Sequence, residues 1–117
     1  MQTVRVRPQP AFLVAGCSAA FGRRCREAVA ARQGHVVEIE VRSLRALSVH
    51  SRPLGVITLA ATYAADPALF QAAAREAGAP LILVPSEEVP QIELEARILA
   101  AMFEAEQAKA ARRAASA

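Results

Sequence analysis

Four apolar runs constrain this chain more than any other feature. "AFLVA" at 11–15, "HVVEIEV" at 35–41, "LGVITLAA" at 54–61 and "PLILV" at 80–84 begin 24, 19 and 26 residues apart. Each interval has room for one helix and its turns. The first, third and fourth runs are apolar almost throughout, as strands buried on both faces are. Such alternation builds a parallel sheet with right-handed crossovers and helices on both faces. The expectation is a single α/β domain over residues 11–108, a three-layer, doubly wound sandwich of four core strands. Residues 1–10 then form a leader or a fifth, edge strand, because Val4 and Val6 alternate with Arg5 and Arg7 before two prolines. Residues 109–117 are expected as a frayed basic tail.

Local signals place the helices. Ser18 is a good N-cap, and Phe21, Cys25, Ala28 and Val29 share one face of a helix running to about Arg32, closed by Gly34. Ser43 to Leu47 reads as one helical turn, and "SVHSRP" as loop or at most a short irregular helix. Asp66-Pro67 is an N-cap followed by proline at N1, so a helix starts there. It buries Leu69, Phe70, Ala73, Ala74 and Ala77 and stops at Gly78. The last helix runs from Ile92 to about Ala111, with Ile92, Ala96, Leu99, Met102 and Phe103 on one stripe that Glu106 interrupts.

Composition excludes several classes. Hydrophobic residues make up 54% of the 117, so the chain is not disordered. Aromatics are 4% with no Trp, too few for base-stacking platforms. The charge of +3 is carried by scattered arginines, Lys109 being the one lysine, which argues against nucleic acid. Cys17 and Cys25 fall on one element and form no disulfide framework. His35 and His50 have no partners at ligand spacing, so neither metal nor cofactor is expected. No run approaches the length of a membrane span and no signal peptide opens the chain, so a bacterial cytoplasmic location is the default.

The candidate chemistry lies in "GCSAAFGRR", residues 16–24, at the carboxyl end of the first strand, where such sheets place ligands. Gly16, Cys17, Ser18, Gly22 and Arg23 are the anion-binding candidates, since backbone N–H groups at a helix start receive anions. Cys17 and Arg23 are spaced C-x5-R, which resembles the loop of low-molecular-weight tyrosine phosphatases and arsenate reductases. That resemblance implies a thiolate nucleophile at Cys17 and an Arg23 fork on the phosphoryl oxygens. Ala20 and Arg24 stand where that family has Asn and Ser or Thr. Asp66-Pro67 resembles its late general acid, after a different strand. The loop is also similar to the phosphocysteine loop of sugar-transport IIB proteins, with Cys17 as acceptor. "AGCSAAFG" resembles the opening of short-chain dehydrogenases, with Ala20 for the middle glycine and Val41-Arg42 where an acidic ribose ligand would stand.

Residues 56–106, from "VITLAATYAADPALF" to "ELEARILAAM", resemble the β4-α4-β5-α5 half of a response-regulator receiver, and residues 12–41 its β1-α1-β2. That implies a flavodoxin-like fold. The receiver's acidic pair is replaced by Gly16-Cys17-Ser18, its switch residue by Ala60, and the Lys before its proline by Val84. The stretch from Arg42 to Leu54 is too short to carry a phosphoacceptor aspartate. The resemblance therefore implies a shortened pseudo-receiver that binds another protein. Its partner is a second protein or a second copy, docked through the last helix with Ile98, Met102 and Phe103 at the centre. The competing expectation for Met102 and Phe103 is core. The alternative function is a small phosphate-handling enzyme using Cys17 and Arg23. Glu87, Glu88, Glu93 and Glu95 are expected as solvated charges at the start of the last helix.

Overall fold

The computed structural model describes residues 11–30 and 34–116. The expected edge strand near residues 3–7 and the helix end at Arg32 lie outside them. Four strands, β1 (Ala11–Ala15), β2 (His35–Ile39), β3 (Gly55–Leu59) and β4 (Leu81–Val84), form an all-parallel sheet in the order β2-β1-β3-β4. Ala11 to Ala15 face His35 to Ile39, and Phe12 to Val14 face Gly55 to Ile57. The order is that of the flavodoxin-like sheet without its fifth strand, and the switch point lies between β1 and β3.

Helices α1 (Ala19–Ala30) and α5 (Gln91–Ser116) cover one face, while α2 (Leu44–Ser51) and α4 (Pro67–Ala77) cover the other. Period-2 alternation on β1 divides the core between them. Phe12 and Val14 join Phe21, Cys25, Val29, Leu94 and Ile98 on the α1/α5 side. Leu13 and Ala15 join Leu44, Phe70 and Ala73 on the α2/α4 side. Phe12, Phe21 and Phe70, three of the four phenylalanines, are fully buried.

Local signals account for most boundaries. Ser18 Oγ accepts from Phe21 N at 3.1 Å and caps α1. Asp66 Oδ1 accepts from Leu69 N at 3.3 Å with Pro67 at N1, and Gly78 ends α4 at φ +65°. At Gly16, φ is +68° and a Cβ would stand 2.7 Å from Val41 Cγ2, so any side chain there is strained and must displace its neighbours.

Three segments depart from expectation. β3 stops at Leu59, and Ala60–Ala65 is a helix, α3. An alanine-rich run reads as strand or helix equally well, and the sheet needs only five residues. The single turn at Ser43 is the two-turn helix α2, after a 3-10 turn at Val41–Ser43. The last helix continues through the expected tail to Ser116, because its Ala-rich sequence favours helix without help from the sheet.

The largest departure is the phase of α5. Leu94 and Ile98 are buried, whereas Ile92, Leu99 and Phe103 are 79%, 42% and 64% exposed. The helix carries two apolar stripes, and the sheet takes the one through Leu94 and Ile98. Arg97 Nη1 donates to Leu83 O at 3.1 Å and so blunts the edge strand β4.

Candidate functional site

The carboxyl end of β1 is built as a helix N-terminus aimed at the β4–α5 turn. Gly16 makes the left-handed turn and donates to Ile39 O at 3.2 Å, Cys17 follows half-buried, and Ser18 starts α1. Both donors of Ser18 are already engaged. Ser18 N donates to Glu87 Oε2 at 3.2 Å, and Ser18 Oγ donates to Glu87 Oε1 at 2.5 Å. A carboxylate of the chain itself thus occupies the place where the backbone and the helix dipole favour an anion.

Arginine reinforces the arrangement, but from the position after the C-x5-R arginine. Arg24 Nη1 donates to Glu87 O at 2.5 Å and Arg24 Nη2 to Val89 O. Arg24 Nε donates to Gln91 Oε1 at 3.1 Å, and Gln91 Nε2 returns a bond to Arg24 O at 2.9 Å. Arg24 and Gln91 therefore clamp the 85–90 turn over α1 and hold Glu87 on Ser18. Arg23 is exposed and makes no hydrogen bond or ion pair among the described residues. Gly22 is buried because Glu38 crosses it: a Cβ there would lie 2.2 Å from Glu38 Oε1, a carboxylate paired with Arg26 at 2.5 Å.

These surroundings set the thiols. The Cys17 Sγ donates to Ala15 O at 3.4 Å. Burial first and the Glu87 charge second push its pKa up to about 11. Cys25, in the core under α1, is pushed up to about 12, again by burial first. Both are protonated at neutral pH, and neither thiol is an activated nucleophile. Asp66 serves as the α4 cap.

The interface candidates are placed unevenly. Ile98 is core, Met102 is half-buried, and Phe103 is exposed. Beside them a groove of about 400 Å³ runs between α1 and α5, walled by Ala28, Val29, Ile92, Ala96, Leu99 and Met102. The expectation of solvated acids holds for Glu88, Glu93 and Glu95, which are exposed, and fails for Glu87. The Glu87–Ser18 contact joins residues 69 apart in the chain, and nothing local in either segment announces it.

No group of three His, Cys, Asp or Glu side chains among the described residues has metal-ligating geometry. No described helix is long and apolar enough to cross a membrane. Comparison with family models, with curated proteins and with solved structures finds no match.

Proposed function

We propose that this chain is a non-catalytic protein-interaction domain with a receiver-like fold, a pseudo-receiver that takes no phosphoryl group. The observation that carries the reading is the Glu87 carboxylate on Ser18 N and Oγ. A phosphate cradle needs those donors free, and a thiolate or phosphocysteine beside them needs a neighbouring cation. Here the two Ser18 donors are spent on an internal anion, and that anion, after burial, raises the pKa of the adjacent thiol. Arg23, the fork of the enzymatic alternative, is committed to nothing at the loop. The exposed stripe on α5 supplies what the loop lacks, an apolar surface with no partner among the described residues.

The test is incubation of the full chain with a chromogenic aryl phosphate, with Cys17→Ser as control. The proposal expects no turnover above buffer. Turnover that disappears in Cys17→Ser would establish the phosphate-handling alternative instead.

A further inference from the structure

The second stripe of α5 has a heptad spacing that the described residues of one copy leave uncovered. Ile92, Leu99, Glu106 and Arg113 recur at one heptad position, and Ala96, Phe103 and Ala110 at the other; all seven are exposed. Glu95 and Met102 flank this seam on the side of α1, as the lining of the α1/α5 groove shows, and Lys109 follows one heptad on, beside Pro53, Leu54 and Gly78. Glu93, Ala100 and Gln107 flank it on the outer side. Neither Glu95 nor Lys109 has an ion pair among the described residues, whereas Glu93 is tied to Arg97 at 3.2 Å.

We infer that the partner of this seam is a second copy of the chain, docked antiparallel through α5 on a two-fold axis near Ala101. The charges select this arrangement. In the antiparallel register Leu99 packs on the second copy's Phe103, Ile92 on its Ala110, and Ala96 accommodates its Glu106. Glu95 then meets Lys109 of the second copy, twice by symmetry, and Met102 meets Met102. Arg113 reaches the start of the second copy's α5, where the exposed Glu88 lies. A parallel pairing instead sets Glu106 against Glu106 and Arg113 against Arg113 in the seam and leaves Glu95 opposite Ala100. From Ile92 to Ala110 the seam is ~27 Å long at ~1.5 Å per residue. That length uses the part of α5 that overhangs a sheet of five-residue strands, ~17 Å long. Ala28 and Val29 on α1 give the incoming helix a second wall.

This inference rests on the interaction reading and names its partner, but the two fail separately: aryl phosphate turnover sinks the first, and a monomer sinks the second. The test is sedimentation velocity of the full chain over a wide concentration range, for wild type, Glu95→Lys, Lys109→Glu and the double swap. A concentration-dependent dimer is expected. Each single swap replaces two attractive contacts by two repulsive ones and weakens the dimer by roughly tenfold, and the double swap restores it. Phe103→Asp abolishes the dimer while circular dichroism stays unchanged, because Phe103 is not in the core. A monomer at every concentration, a double swap no tighter than the singles, or a Phe103→Asp chain that still dimerises would overturn the inference.

Discussion

At the carboxyl end of β1 the chain answers its own donors: Ser18 holds Glu87, and Arg24 holds the turn that carries Glu87. Along the outer flank of α5, Leu99 and Phe103 meet water, and Glu95 and Lys109 meet no opposite charge among the described residues. Both regions belong to the α1/α5 side, but only the first looks functional when read as a motif. The difference lies in what each leaves unsatisfied. A loop with phosphate-binding shape has been closed with an internal carboxylate, while an ordinary-looking helix exposes apolar side chains and unpaired charge. Function is better sought where satisfaction is missing than where a motif is present.

The sharpest test of that contrast compares two leucines five residues apart on α5. Leu94 is fully buried and Leu99 is 42% exposed. Leu94→Ala is expected to lower stability by about 2–5 kcal/mol and Leu99→Ala by less than about 1 kcal/mol, measured by urea unfolding at low protein concentration. Equal losses would mean that the stripe through Leu99 is core.

The loop itself tolerates little change. Gly16→Ala combines a left-handed backbone with a Cβ 2.7 Å from Val41 Cγ2 and 2.9 Å from Thr62 Cγ2. Thermal melts should show a loss of about 1–3 kcal/mol. Gly78→Ala, also at positive φ but with no atom within 4 Å, should lose less, near the ~1 kcal/mol of conformational strain alone. Similar losses at the two glycines would refute the tight fit at Gly16.

Much of this was legible in the sequence. The four runs, the Ser18 and Asp66 caps, the Gly78 stop and the α1 face all follow from local signals, because periodicity and capping act within one element. The phase of α5 was not legible, since Ile92-Ala96-Leu99-Phe103 and Leu94-Ile98 are both apolar, and only the sheet decides between them. The Glu87 seat was hidden for the same kind of reason. It depends on a crossover that brings the β4–α5 turn beside the start of α1, and no local pattern marks its clamps, Arg24 and Gln91.

Smaller effects test the seat. Ser18→Ala loses a cap and the Glu87 contact, about 1–2 kcal/mol, and Glu87→Gln loses the charge for about 0.5–1 kcal/mol, discounted because Ser18 is exposed. The double variant should cost less than the sum, and strict additivity would show that the two side chains do not interact. A separate effect appears only in alkali. Both thiols have folded pKa values raised above 9.0, so the folded chain holds protons that the unfolded chain releases. That stability is complete below pH 9.0 and declines as pH rises through about 11 for Cys17 and about 12 for Cys25. Glu87→Gln should move the Cys17 part of the decline to lower pH.

The most direct measurement is the pH profile of Cys17 alkylation in the native chain, followed on the Cys17 peptide by mass spectrometry. A self-sealed seat predicts slow modification at neutral pH, with a rate that climbs through about 11, and an earlier climb in Glu87→Gln. A rate already at its plateau near neutral pH would mean a thiolate beside free donors, and would contradict the account.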